Sequence, residues 1–304
     1  MKKIHKFFYF GKTIGKGGDS MGIRTDLAVE AKTLYEHSVQ STTKLSGVIA
    51  RSSTQAGVRL SRVQIMDHRG EKALGKPRGT YVTLELPRKP DCTQRQHAAK
   101  MMAEELEKLL ELKEAESALL VGLGNRSITP DAIGPMSVDG VFLTRHLLFA
   151  YPELFRPLRS VCAVMPGVLA DTGLESQELT LAAVRQVKPD CVVVVDALAS
   201  CQPEHLCSTI QLTDTGIAPG SGVSNARPAF NKQSLGVRVV AIGVPTVMDD
   251  RACSETWQEQ SLMVTPRDID ARVESMAQIV SEGINRALFP KEQFAMVQEL
   301  QDYG

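Results

Sequence analysis

The chain of 304 residues has no surplus of either charge: Lys and Arg together number 35, and so do Asp and Glu. That balance argues against a protein that grips nucleic acid through bulk electrostatics and leaves only local patches open. No CxxC spacing occurs among the six cysteines, at 92, 162, 191, 201, 207 and 253. A zinc ribbon and a disulfide scaffold are thereby excluded, and a reducing compartment fits, with Cys162 and Cys191 as buried thiols inside apolar runs. The six histidines contain no HxxxH pair, which counts against a helical zinc site. His146 reads as a helix-face residue, and the CxxxHxC spacing around His205 has no strong metal precedent. No run approaches the roughly 18 apolar residues of a spanning helix. The FFYF after the first lysines is too short for a signal segment, so a soluble, cytoplasmic protein is expected. GxxxxGK[ST] is absent and GLGN lacks the third glycine of GxGxxG, which leaves little case for nucleotide binding.

What is present divides into blocks. Residues 1–22 are rich in Lys and Gly with little periodicity and read as a mobile leader. From 45 to 90, β-branched runs (GVIAR, VRLSRVQIM, GTYVTLEL) alternate with glycine-rich breaks, a hairpin-like pattern. Residues 93–116 keep Met and Leu at helical spacing. Between 117 and 250, apolar runs of strand length (SALLVGLG, SVCAVMPG, PDCVVVVDAL, STIQLTDTG, VRVVAIGVP) are interleaved with helix-like segments such as MSVDGVFLTRHLLFA and ESQELTLAAVRQVK. Strands apolar on both faces, separated by helices, predict a three-layer α/β fold with a mainly parallel sheet and a β-rich N-terminal segment. The last block, 264–304, predicts helices, with Thr265 as N-cap and Pro266 at the first helical position.

In such a sheet, ligands gather at the carboxyl ends of the strands. Those ends carry GLGNRSITPD, MPGVLADTG, DALAS, DTGIAPGSGVSN and GVPTVMDD. Asp196 closes the run CVVVVD, where burial raises a carboxyl pKa. Asp131, in Thr129-Pro130-Asp131, reads as a first-turn residue held charged by a helix dipole. One acid kept neutral and one kept charged make a general acid and base. The residues leave open a second reading, in which Asp131 only caps a turn and Asp196 only satisfies loop amides. Likewise GIAPGSGVSNAR (216–227) is either a backbone nest for an anion or carbonyl, or a plain loop.

The blocks IRTDLAVEA, RGTYVTLE, VGLGNRSITPDAIGP, TRHL, MPGV, VVDALA, TIQLTDTGIAPGSGVSNAR, LGVRVVAIGVPTVMD and LMVTPRDID, in this order from about residue 23 to 285, resemble the germination proteases of spore-forming bacteria. The resemblance implies an aspartic peptidase distinct from pepsin, with its catalytic aspartates at Asp131 and Asp196; no cofactor and no metal ligand are assigned, and direct aspartyl and metal-assisted catalysis both stay open. It implies a phosphorylase/hydrolase-like fold akin to hydrogenase-maturation endopeptidases, whose acids and a histidine grip nickel; no counterpart of that histidine is found here. It also implies a self-processing zymogen in the spore core that forms tetramers. Its substrates are small acid-soluble spore proteins, cut in segments like Thr-Glu-Ile-Ala-Ser-Glu after the first acid. Residues 25–30, Thr-Asp-Leu-Ala-Val-Glu, follow the same pattern, which makes 1–26 the leader, Asp26–Leu27 the processing bond and 27–304 one peptidase domain. A self-carried segment occupies its own cleft at high effective concentration. Candidates for the substrate and oxyanion loops are Gly124, Asn125, Asp214, Gly220, Ser221 and Gly222. Departures from the family are a short stretch after Asp250 (RACSETWQEQS) and a long leader, with Met21 a possible internal start. The alternatives are a maturation peptidase reading a metal-loaded partner and a non-catalytic binding module on the same fold.

Overall fold

The computed structural model describes residues 25–39, 45–113, 116–221, 227–249 and 263–302. Most of the leader, Gly222 and the stretch after Asp250 lie outside these residues. Nine strands form one sheet in the order β1-β2-β3-β7-β8-β6-β4-β5, with β9 (Met263–Val264) on β8. The parallel part is β5 (Val161–Val164), β4 (Ala118–Gly122), β6 (Cys191–Ser200) and β8 (Arg238–Asp249). β7 (Thr209–Thr213) then runs antiparallel to β8 and to β3 (Gly79–Glu85), which continues antiparallel into β2 (Val58–Ile65) and β1 (Val48–Gln55). The expected mainly parallel sheet is thus corrected to a mixed one. β7 returns from β6 through a short turned link, too short for the crossover that a parallel neighbour needs. The 45–90 segment is an extension of the same sheet.

Alternation along the buried strands separates two cores. Ala118, Leu120, Cys191, Val193 and Val195 face a cluster built with α3 (Cys92–Leu110) and α10 (Ile269–Leu288). Leu119, Val121, Val192 and Val194 face the opposite side, where α8 (Ser176–Val187) and α9 (Lys232–Leu235) pack. A strand that buries both faces needs the unbroken valine run that β6 carries, and Asp196 continues it on the face of Val192 and Val194. A third, smaller cluster joins α1 (Ala28–Val39) and α2 (His68–Leu74) to β2 and β3.

Local helix expectations shift in detail. α3 ends at Leu110, with Glu111 in the left-handed region as its cap. MSVDGVFLTRHLLFA breaks into α4 (Ile133–Asp139) and α5 (Arg145–Ala150), with Gly140 closing the first. α10 starts at Ile269 after Asp268, three residues beyond the expected Pro266. α6 (Pro152–Phe155), α7 (Leu169–Thr172) and α11 (Lys291–Asp302) complete the helices of the described residues.

Two glycines let the loop after β4 close on itself. Gly124 has φ +106°, and a Cβ there would meet the carbonyl oxygen of Asp131 at 2.0 Å. A Cβ on Gly134, in the first turn of α4, would meet the Leu123 carbonyl at 2.2 Å and the Val195 carbonyl at 2.7 Å. These are rigid backbone atoms at the ends of β4 and β6, so no side chain can give way. Gly134→Ala is expected to cost about 2–3 kcal/mol or more in urea unfolding, as overpacking against backbone does; an unchanged midpoint would show that the α4 contact is slack.

Candidate active site

The chain leaves β4 at Gly122 and turns through Leu123, whose amide donates to the Val195 carbonyl (2.9 Å). Asn125 organises the turn: its side-chain oxygen accepts from the Ser127 amide (2.8 Å), and its Nδ2 donates to Asp171 (3.1 Å). Its own amide donates to a carboxylate oxygen of Asp131 at 2.8 Å. Asp131 sits in a single 3-10 turn, Thr129–Asp131, one residue ahead of α4. Thr246 on β8 donates to the Pro130 carbonyl (2.6 Å) and pins that turn. The strand end of β4, the turn and β8 therefore fix one carboxyl.

Asp196 is the other. Only 5% of its surface is exposed, and its carboxylate accepts from the following amide, Ala197 N–H, at 2.9 Å. Burial, then the charge of Asp131, push its pKa well above the usual carboxylate range, against the pull of that amide and with a smaller push from Asp26. Asp131 is shifted upward too, by burial, although the Asn125 amide opposes the shift. The expectation that a helix dipole holds Asp131 charged is corrected: its turn is not the first turn of a long helix, and desolvation dominates. Both acids line one cavity of about 720 Å³ at the carboxyl ends of the strands, together with Gly124, Gly220 and Asp26.

Asp26 carries the third carboxylate. Its amide donates to the Ala199 carbonyl (3.1 Å), and its side chain accepts from the Ala199 amide (2.9 Å) and from the Ser221 hydroxyl (2.9 Å). Ala199 lies where the register of β6 against β8 slips between Leu198 and Ala199, which frees backbone groups for an added segment. Beyond Asp26, Leu27 and Ala28 are fully buried. Glu30, 1% exposed, accepts from the Ser200 hydroxyl (2.5 Å), the Cys201 amide (2.9 Å) and Thr25, and meets His205 Nδ1 at 2.5 Å. Every residue from Thr25 to Glu30 except Val29 thus has a specific partner or a fully buried place.

Of the other loop candidates, Asp214 accepts from the Thr80 amide (2.8 Å) and ties β3 to the β7 end. Ser221 holds Asp26, and Asn125 holds Asp131; Gly222 lies outside the described residues. Sequence reasoning passed over Lys76, Gln211 and Ser200 and weighed His205 only as a metal ligand, yet all four meet the 25–30 segment. A polar Gln in the fully buried strand TIQLT was the available signal for one of them. Lys76, inside a glycine- and proline-rich break, gave none. Among the described residues no three His, Cys, Asp or Glu side chains converge so as to hold a metal ion, and no helix is long and apolar enough to cross a membrane.

Burial alone pushes Glu30 up, but His205, the Cys201 amide, Ser200 and Thr25 more than reverse this and carry it down to about 2. His205 moves the other way: burial lowers it, and Glu30, Glu85 and Glu204 raise it above its ordinary value. A raised histidine stabilises the fold fully below its unfolded pKa of about 6.5, and that contribution fades as pH climbs through the folded value. Glu30 contributes above its unfolded value of 4.5 and loses this only as pH falls toward about 2. In urea unfolding, His205→Gln is expected to cost about 2 kcal/mol near pH 6, with the deficit shrinking on the alkaline side. A deficit that does not vary with pH would mean that the pair is not an ion pair.

The germination protease family model matches residues 28–259. The germination protease of Caldanaerobacter subterraneus subsp. tengcongensis is 40% identical over 313 residues, covering 89% of this chain and 95% of that protein. That of Clostridium tetani is 38% identical and covers 89% of this chain and 96% of its own length. The Oceanobacillus iheyensis germination protease is 44% identical over 236 residues, 75% of this chain and 64% of that protein.

Proposed function

We propose that this chain, which belongs to the germination protease family and is a protease of spore germination, hydrolyses peptide bonds with the carboxyl pair Asp131 and Asp196. Its substrates are small acid-soluble spore proteins in the spore core, where it works as a homo-oligomer and needs no cofactor. It is made as a zymogen and cuts itself at Asp26–Leu27. The observation that carries the reading is the shared cavity: two carboxyls with upward-shifted pKa values, and the substrate-like segment entering at Asp26.

The pair works by holding one proton. Asp196, the more deeply buried and pushed further up, is the neutral member; Asp131, supported by the Asn125 amide, is the charged one. Two carboxyls that interact this strongly titrate as a unit. Asp131 takes a proton from water, and the hydroxyl adds to the carbonyl carbon of the acidic residue. The bond to the next nitrogen breaks as that nitrogen receives a proton from Asp196, and the proton on Asp131 restores the starting state through solvent or the pair. The carboxylate of the residue before the cut sits where Asp26 sits, on the Ala199 amide and the Ser221 hydroxyl. Glu in the fourth place after the cut takes the position of Glu30.

Cleavage of a peptide containing Thr-Glu-Ile-Ala-Ser-Glu, followed by mass spectrometry, tests this. The self-processed chain is expected to cut after the first Glu. Asp131→Asn and Asp196→Asn, each supplied with the N-terminus at Leu27, are expected to lose about 10²–10⁴-fold in kcat. Equal rates in parent and variants would reduce both acids to structural strand-end residues.

A further inference from the structure

The cleft holds the Asp26 carbonyl with two side chains that the carboxyl pair does not account for. Lys76 Nζ donates to that oxygen at 2.9 Å, and Gln211 Nε2 donates to it at 3.0 Å. The two come from separate parts of the fold, Lys76 from the turn between α2 and β3, Gln211 from the middle of β7. Lys76 also reaches the Thr25 carbonyl at 3.3 Å. The other end of the Gln211 amide accepts the Ala28 amide proton at 2.7 Å. That contact fixes the orientation of the side chain, because only its oxygen can accept from a backbone N–H. One buried amide therefore grips the chain on both sides of the Asp26–Leu27 bond, and an ammonium completes the grip on the carbonyl oxygen.

We propose that Lys76 and Gln211 form the oxyanion site of this peptidase: side-chain donors aimed at the carbonyl oxygen of the bond to be cut, for the chain's own segment and for substrate peptides alike. The inference rests on Asp26–Leu27 being the processing bond. When water adds to the carbonyl carbon, the π electron pair moves onto this oxygen, and it returns when the carbon–nitrogen bond breaks and the amine leaves with its proton. A charged donor and a fixed neutral one, held in a water-poor cleft, gain strength as that negative charge develops. Burial lowers the pKa of the Lys76 ammonium, while the carboxylates of Asp26 and Glu30 oppose the loss of its proton. Of the backbone amides that the sequence nominated for this role, that of Asn125 already serves Asp131 and that of Ser221 the Ala218 carbonyl. Polarising the carbonyl from Lys76 and Gln211 leaves the carboxyl pair free for proton transfer.

A structural clamp would hold the segment in place without favouring the transition state, and the two roles separate experimentally. Full-length protein is followed during self-cleavage, with the new N-terminus sequenced, for the parent, Lys76→Met and Gln211→Met. Hydrogen exchange at the Asp26 and Cys201 amides, which bond to Ala199 and Glu30 and not to either substituted side chain, reports whether the segment stays docked. Each variant is expected to cut at the same bond about 10²–10³-fold more slowly, as loss of one oxyanion donor does, with exchange protection retained. An unchanged rate overturns the assignment. So does a rate that falls only together with protection, because the side chains then act by binding. If the parent's new N-terminus is not Leu27, the processing reading fails before any variant is compared. Should one variant fail to fold, the other carries the same test, since the two donors stand on different elements.

Discussion

Two carboxyl groups that line one cavity and are both largely buried cannot both be charged without a large penalty, and the architecture around β6 is arranged about that constraint. Asp196 is delivered by a strand whose five preceding residues are all buried, so only its side chain, 5% exposed, meets the cavity. Asp131 arrives from the next strand over, on a turn that closes only because Gly124 and Gly134 leave room for backbone. The single amide proton from Asn125 tips the balance between the two acids.

The same strand end also receives the chain's own N-terminal segment. The slip in register at Leu198 and Ala199 exposes a backbone amide and carbonyl that bind Asp26 through both its backbone and its carboxylate. A few residues on, Ser200 and Cys201 hold Glu30 with His205. Acid at each end and a buried Leu-Ala between them is a pattern that the cleft reads through hydrogen bonds, so an analogue lacking either acid would strand buried donors. In the proposed function, self-processing and substrate selection draw on one set of contacts.

How much of this is written in the sequence depends on whether a feature is local. CVVVVD announces a central strand ending in an acid, because a run of β-branched residues without polar alternation is tolerated only where both faces are covered. α3 and α8 follow from spacing; fold logic only nominates Asp131 and Asp196 among the strand-end loops, and the family resemblance chooses the same two residues. The direction of β7 was not legible, since TIQLT reads the same whether its neighbour is parallel or antiparallel; the length of the link before it decides. Nor was Lys76, whose significance exists only once the α2–β3 turn and β7 are both folded against the Asp26 carbonyl. Thr129-Pro130-Asp131 looked like a helix start, yet the carbonyl contacts at Gly124 and the Thr246 hydroxyl keep it a lone turn.

The central claim is that Asp131 and Asp196 share a proton, and carboxyl-carbon NMR of aspartate-labelled protein measures this directly as a function of pH. The account predicts that Asp196 stays neutral well above the ordinary carboxylate range and that its titration moves down in Asp131→Asn, where the like charge is gone. An Asp196 that ionises with an ordinary pKa, unmoved by Asp131→Asn, would contradict it.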